Sequence, residues 1–325
     1  MANTRDIQRR IKSINNTKKI TRAMEMVAAA KMRRAVEAVL RTRTYANLSW
    51  LTVLNLAQTS SNNSNGLHPL LSPRKTIKKI GIILVTSNRG LCGGFNSAII
   101  NKAHQSIKKY QISEDGSSKI ATDFILVGKK GAVVSKYYGY NIAAEFPKED
   151  IISEVKEVLP VSRLVIDDYL SGKYDKVMVA YTDFINAAKQ IPRVKQLLPI
   201  DINARDEYLG IVGEDTRLGI DQEFIKGKEE KYLRDKDYVY EYTFEPNPKE
   251  VLDEMIPRLI EVQLFQALLE SNASEHSARM ASMHQATDAA RDMVAELTLS
   301  FNKARQAAIT AEIAEISAGA NALAE

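Results

Sequence analysis

The chain has few of the residues that cross-link, interrupt or anchor a protein. Cys92 is the one cysteine among 325 residues, so an internal disulfide is excluded and a reducing compartment fits. Neither glycine nor proline occurs in residues 1–65 or 258–317, so nothing there interrupts a helix. No apolar run reaches the length of about 18 residues that a transmembrane helix needs.

The composition indicates a folded protein with unevenly placed charge. Hydrophobic residues make up 45% of the chain and charged residues 26%, as in ordinary globular proteins. Residues 1–45 hold twelve Lys/Arg against three Asp/Glu, whereas residues 258–325 hold five against nine. We therefore expect the two ends to attract each other or to attract different partners.

Residues 1–60 are predicted to form one long helix. Apolar side chains recur there at spacings of four and three, which is typical of a coiled-coil seam. Three polar residues interrupt the same frame. The apolar positions are Ile7, Ile11, Ile14, Ala28, Met32, Ala35 and Val39, and the interruption consists of Lys18, Thr21 and Glu25.

Residues 248–319 are predicted to form a second helix that ends at Gly319. A helix this long needs a partner of similar length to bury its seam, so we expect the two ends to form an antiparallel coiled coil. The alternative is two separate helices in a bundle. The heptad frame of the second helix alternates spacings of three and four residues. It runs through Met280, Met283, Thr287, Ala290, Val294, Leu297, Phe301, Ala304, Ala308 and Ala311.

The middle of the chain is predicted to be a Rossmann-like α/β domain at residues 75–200, which places the whole chain in the α/β class. Short apolar runs indicate buried strands, and helical stretches alternate with them, so we expect helices on the faces of a sheet. The strands are predicted at 80–86, 124–127, 177–181 and, at an edge, 194–200, and the helices at 96–109, 132–138 and 151–171. A charged, exposed insertion is predicted at 203–237, followed by a strand at 239–244.

The strongest local motif is the glycine-rich stretch Ser87–Asn96, between a strand and a helix. Such a turn can hold a phosphate at a helix N-terminus, but this one is neither a P-loop nor a dinucleotide-binding motif. We interpret it as a structural turn, Cys92 as a packed small residue, and His276 and His284 as single solvated residues. The sequence therefore predicts no catalytic, cofactor-binding or metal-ligating residue.

Four segments resemble the gamma subunit of F-type ATP synthase. They lie in the family's order at both ends and in the middle of the chain: Ile11–Met32, Arg89–Asn96, Ala273–Met280 and Asn302–Thr310. The resemblance implies a central shaft inside a ring of alpha and beta subunits, turned by a membrane c-ring that protons or sodium ions drive. It also implies contact of the α/β domain with the epsilon subunit and the c-ring.

A chain of this kind is not an enzyme by itself, because the family's nucleotide catalysis takes place on the alpha and beta subunits. The resemblance also implies that it needs no cofactor, binds no nucleic acid and lies peripherally at the cytoplasmic face of the bacterial cell membrane. Chloroplast relatives carry a regulatory cysteine pair in the middle of the chain. Thiol regulation of that kind is excluded here, since Cys92 has no second cysteine to pair with.

The resemblance further implies contacts with the beta subunits at particular positions. Those on the N-terminal helix fall near the beta-subunit lever, and the last three match the family's contacts with a beta-subunit loop. The positions are Lys18, Arg22, Met24, Arg279, Arg305, Gln306 and Thr310. The polar interruption of the N-terminal seam is interpreted as part of this working surface.

Two other functions fit the residues taken alone. One is a coiled-coil scaffold or nucleic-acid-binding protein that uses the basic N-terminus. The other is a phosphate-binding α/β enzyme that uses the Gly93-Gly94 turn.

Overall fold

A computed structural model describes residues 4–61, 68–74, 76–113, 120–150, 154–200, 245 and 248–324. The chain divides into two compact units. Unit 1 comprises Met1–Ala30 and Arg279–Glu325, and unit 2 comprises Lys31–Ala278. The insertion at 203–237 and the strand at 239–244 lie outside the described residues.

Both terminal helices are present. The first, α1, spans Thr4–Ser61, and the last, α5, spans Pro248–Ala324. The prediction that Gly319 ends the last helix is wrong, since α5 continues through it. A helical glycine costs only about 1 kcal/mol relative to alanine, and the alanines on either side favour the helix.

The two helices of unit 1 run antiparallel, as predicted. Thr287 Oγ1 donates a hydrogen bond to Thr21 Oγ1 at 2.8 Å, and His284 Nδ1 lies 3.2 Å from Glu25 Oε1. As the residue number rises along α1, the number of the contacting residue on α5 falls, as in an antiparallel pair. The buried seam side chains of unit 1 include Ile7, Ala28, Met283 and Ala290.

The seam of α5 ends earlier than its heptad frame predicts. Phe301 and Ala304 are half-buried, whereas Ala308 and Ala311 are exposed. The prediction that the last two positions belong to a buried seam is therefore wrong for this chain taken alone. The physical reason is length, because the described part of α1 begins at Thr4 and offers no further turns against which the last turns of α5 could pack.

Unit 2 contains a five-stranded sheet in the order β3-β2-β1-β4-β5. The first four strands pair in parallel, and β5 pairs antiparallel with β4. The strands are β1 Lys79–Val85, β2 Ala121–Val127, β3 Asn141–Phe146, β4 Lys176–Phe184 and β5 Gln190–Leu198. The sequence did not predict β3, because this edge strand alternates exposed and half-buried residues and has no apolar run.

Three helices lie between the strands of unit 2. They are α2 Phe95–Ser113, α3 Val133–Tyr138 and α4 Leu159–Leu170. The helix predicted from residue 151 begins only at Leu159, after a 3₁₀ turn at Val155–Val158. Pro160 explains the later start, because proline fits the first turn of a helix but not its interior.

Helices cover both faces of the sheet, as the Rossmann-like prediction requires. Successive side chains of a strand point to opposite faces, so the residues of β1 divide between two cores. Ile82 and Leu84 pack in one core with the buried side of α2. Ile83 and Val85 pack in the other, which contains residues of α4 and α5 together with Val39 of α1.

Candidate subunit-contact surfaces

An apolar stripe lies exposed on the α1 part of unit 1. Ile20, Met24 and Val27 are 59%, 37% and 56% exposed. Their spacing of four and three places them on one helix face. Adjacent apolar side chains left in solvent are typical of a protein-contact surface. Met24, one of the predicted contact positions, is therefore available to a partner.

The charged contact positions near this stripe have different surroundings. Arg22 is exposed, and its Nη1 lies 2.8 Å from Glu25 Oε1. Lys18 is half-buried. Thr21 and Glu25 both contact α5, so the interpretation of the polar interruption as an outward working surface is wrong for these two residues. Hydrogen-bonding groups placed in a seam fix the register of the two helices. The sequence pattern alone does not distinguish this role from an interruption of the apolar seam.

The C-terminal end of α5 carries a second exposed surface. Arg305, Gln306 and Thr310 are all exposed, and Thr310 Oγ1 donates to the Gln306 carbonyl at 2.9 Å. An apolar stripe accompanies them on the same turns, at spacings of four and three. Its members are Ile309, Ile313 and Ile316, and the last two are 62% and 73% exposed.

The predicted contact positions therefore do not form one site. Arg279 is half-buried where α5 enters unit 1, and it stands 26 residues (305 − 279) before Arg305. At 1.5 Å per residue this separates the two by roughly 39 Å along the helix. Lys18, Arg22 and Met24 belong to α1. Any partner that meets all seven must contact unit 1 in several places.

The polar groups of the glycine-rich turn in unit 2 hydrogen-bond to one another. Asn96 Oδ1 accepts a hydrogen bond from the Ser87 backbone at 3.0 Å, and Ser87 Oγ donates to the Arg89 carbonyl at 2.7 Å. Asn96 Nδ2 lies 3.3 Å from the sulfur of Cys92, which is buried. This network supports the interpretation of a structural turn around a packed cysteine. It holds the exposed Leu91 at a φ of 63°, a conformation that costs a non-glycine residue energy.

Sequence reasoning missed a polar band that α5 buries in unit 2. Every residue from 262 to 277 is buried, including Gln263, Gln266, Glu270, Ser271, Asn272, Ser274, Glu275, His276 and Ser277. The prediction of a solvated His276 is wrong, since it is 3% exposed and its Nε2 lies 3.1 Å from the Asp150 carbonyl. The sequence contains one indirect indication of this burial. The regular heptad seam of α5 starts at Met280 and does not extend into the residues before it.

One buried and one partly exposed ion pair connect distant parts of unit 2 near this band. Lys148 Nζ is 2.7 Å from Glu275 Oε2, and their side chains are 2% and 7% exposed. Lys31 Nζ is 2.8 Å from Asp150 Oδ2, and this hydrogen bond holds the pKa of Asp150 below its ordinary value despite partial burial. Both pairs join residues of unit 2 that are more than a hundred positions apart in sequence.

The sheet also contains a buried carboxylate, Asp123, on β2. Burial raises its pKa, but hydrogen bonds from Lys79, Asn141 and Tyr174 outweigh this effect and hold the pKa below the ordinary value. Lys79 Nζ lies 2.7 Å from Asp123 Oδ2. Asp123 is therefore an ionised structural group of the sheet.

The described part of the chain contains no support for a metal site or for a membrane-spanning helix. No cluster of three or more His, Cys, Asp or Glu side chains is arranged there to hold a metal ion. The helices described are also too polar to cross a membrane.

The fold defines a class of protein in which an α/β domain is inserted between two long, mutually paired terminal helices. The profile of the family described as ATP synthase matches residues 3–323. The ATP synthase gamma chain of Legionella pneumophila (strain Corby) is 38% identical over 323 residues, covering 99% of this chain and 100% of that one. The gamma chain of Herpetosiphon aurantiacus is 40% identical over 328 residues, covering 99% of each.

The chain therefore belongs to the ATP synthase gamma-chain family. Solved structures agree on the fold. A chain in the OSCP/F1/c-ring structure of the Euglena gracilis mitochondrial ATP synthase superposes with a TM-score of 0.59 at 17% identity, covering 98% of this chain and 94% of that one. The family resemblance of the four sequence segments is confirmed.

Proposed function

We propose that this chain is the central rotor shaft of an ATP synthase. It couples ion-driven rotation of a membrane ring to ATP synthesis or hydrolysis on the beta subunits around it. The family match over residues 3–323 supports this function. The chain transmits motion, and nucleotide catalysis takes place on the alpha and beta subunits.

One observation carries the proposal furthest: α5 continues beyond its seam and exposes Ile309, Ile313 and Ile316. An isolated helix with such a stripe is poorly stabilised in water, because it leaves apolar area hydrated and has no partner to bury it. A ring of alpha and beta subunits that encloses this end buries the apolar area and gives the helix a partner to pack against. Arg305, Gln306 and Thr310 then form polar contacts with the beta subunits from the same turns.

The second contact is the outer stripe of α1. A shaft biases a beta subunit toward one nucleotide state only if it binds that state more tightly than the others. The stripe supplies this difference, because Ile20, Met24 and Val27 occupy one side of the helix pair and meet one beta subunit at a time. Arg22 and Lys18 add charge beside it, and Arg279 contacts the ring nearer to unit 2.

The α/β domain is proposed to contact a different set of subunits. We assign it to the epsilon subunit and the c-ring, which places the chain peripherally at the cytoplasmic face of a bacterial membrane. The bacterial origin of the gamma chains that it matches supports this location.

Reconstitution with purified alpha and beta subunits tests the function. The full chain is expected to co-assemble with them and to be required for cooperative ATP turnover. The variant Ile313→Ser/Ile316→Ser should lose most of this assembly at unchanged helix content, measured by circular dichroism. Leu170→Ser is the matched control, since Leu170 is an exposed apolar residue of α4. The proposal fails if the chain neither co-assembles nor affects turnover.

Two other outcomes would favour the alternatives. Salt-sensitive DNA binding without any association with alpha and beta subunits would indicate a nucleic-acid-binding scaffold. Tight nucleotide binding by the isolated chain would indicate an enzyme that uses the glycine-rich turn.

A further inference from the structure

The short segment Lys148–Asp150, after β3, bonds to several other elements of unit 2. Asn88 Nδ2, in the glycine-rich turn, donates to the Lys148 carbonyl. Lys148 Nζ donates to Glu275 Oε2 at 2.7 Å. Asp150 Oδ2 accepts from Lys31 Nζ of α1, and the Asp150 carbonyl lies 3.1 Å from His276 Nε2. Both terminal helices of unit 2 are thus tied to one loop of the α/β domain.

The same turn of α5 is also held by the β4–β5 hairpin. Ser274 Oγ donates to the Thr182 carbonyl at 3.2 Å, and Ser277 Oγ donates to the Ala187 carbonyl at 2.7 Å. Successive helix residues point about 100° apart, so positions 274–277 together face every direction around the axis. Ser274 and Ser277 lie toward the hairpin, and Glu275 and His276 lie toward the segment at 148–150.

Directional contacts of this kind resist movements that apolar packing permits. The hydrophobic effect does not depend on direction, so apolar contacts fix the rotational setting of a helix less sharply than hydrogen bonds do. Hydrogen bonds weaken steeply with angle, and a buried charge that loses its partner is strongly destabilised. Lys148 and Glu275 are both almost fully buried, so any rotation of α5 against the α/β domain separates this pair at high cost.

We propose that the turn Ser274–Ser277 is the torque lock of this chain, which fixes the C-terminal helix to the α/β domain, with Lys148 as its positioning residue. The proposal rests on the shaft function above and identifies where torque passes between the α/β domain and the helix that continues into unit 1. The apolar side chains of α5 in unit 2 belong to the core shared with the sheet and α4, and they supply stability.

The test uses the whole ATP synthase containing this chain, in sealed vesicles. Lys148→Gln is expected to assemble and to hydrolyse ATP at near the original rate, while the number of ions pumped per ATP falls severalfold. Amides of residues 270–277 should exchange their hydrogens faster by roughly a hundredfold, as expected when a buried charge loses its partner. Lys173→Gln is the control, since Lys173 Nζ makes an equally short contact, 2.7 Å, with Asp168 at an exposed site.

A residue that only stabilises the fold would lower assembly or hydrolysis and leave the ions pumped per ATP unchanged. That result, or unchanged pumping and exchange in Lys148→Gln, overturns the proposal. If Lys148→Gln does not assemble, Ser277→Ala decides by the same two measurements, because it removes a directional bond without burying a lone charge. Failure of the shaft function is seen separately, as absence of assembly or of cooperative turnover with the unaltered chain.

Discussion

The helix α5 is packed in two different ways along its length. Between residues 262 and 277 every side chain is buried, polar ones included. In unit 1, from Arg279 onward, the buried side chains described are Met283 and Ala290, and beyond Ala304 every side chain described is exposed. A continuous helix therefore combines a fully buried stretch, an ordinary coiled-coil stretch and an exposed end. In the proposed shaft function, transmission of torque needs the first, and contact with a surrounding ring needs the last.

The two stretches also use polar residues differently. The buried band of unit 2 directs its polar groups at backbone carbonyls and at oppositely charged side chains of the α/β domain. The seam of unit 1 uses single pairs between two helices, at Thr21–Thr287 and Glu25–His284. The His284 side chain is 59% exposed, so the second of these pairs stays close to water and contributes less.

The largest expected difference between the stretches is in the cost of a cavity. Leu264→Ala removes a side chain that is 1% exposed, and we expect a loss of about 3 kcal/mol in the free energy of unfolding. Leu297→Ala, at a half-buried seam position of the same helix, should cost about 1 kcal/mol. Urea denaturation of the full chain measures both. Equal losses would contradict the contrast in packing.

A smaller effect is expected at the buried carboxylate of the sheet. Asp123→Asn removes the charge that Lys79, Asn141 and Tyr174 surround, and should cost about 2 kcal/mol at neutral pH. The folded-state pKa of Asp123 lies below its ordinary value of 3.8, so the carboxylate stabilises the fold above that pH. This contribution is lost as the pH falls through the folded-state pKa.

The difference between the unaltered chain and Asp123→Asn should therefore shrink on acidification below pH 3.8, as measured by urea denaturation at a series of pH values. A difference that stayed constant would show that the charge of Asp123 does not stabilise the fold. Glu145, an exposed residue of the neighbouring edge strand, offers the matched control Glu145→Gln.

The hydrogen bond in the seam of unit 1 should contribute less again. Thr287→Val keeps the shape of the side chain and removes the donor to Thr21, for an expected loss of about 1 kcal/mol. Thr298→Val is the control, because the Thr298 hydroxyl donates to the Val294 carbonyl of its own helix at an exposed position. Hydrogen exchange in residues 279–300 measures the difference. No difference between the two variants would mean that the seam tolerates this polar pair without using it.

The smallest effect is expected for the contacts of His284, at the exposed edge of the seam. His284 lies 3.2 Å from Glu25 and 3.4 Å from Asp288, but its side chain is 59% exposed. His284→Gln should change the free energy of unfolding by about 0.5 kcal/mol or less, and salt should reduce the change. A loss as large as that of Thr287→Val would show that this exposed edge contributes as much as the seam.

Much of the fold could be predicted because its signals are local. The four- and three-residue spacings predicted both helices, and short apolar runs predicted β1, β2 and β4, which are buried on both faces. The edge strand β3 was missed because it lacks such a run. The contact residues implied by the family lie on exposed or half-buried helix positions, but no local signal tells which partner each of them meets.

The sequence alone determined the two long helices and the α/β class, because each depends on the periodicity of neighbouring residues. The antiparallel pairing was expected from the similar length of the two helices, and the contacts between them established it. Tertiary structure decided which polar residues are buried. His276 and Glu275 appear in the sequence as ordinary polar positions of a helix, and only the loop at Lys148–Asp150 and the β4–β5 hairpin enclose them. Burial on all sides requires neighbours that lie far away in the chain, so the periodicity of one segment carries no trace of it.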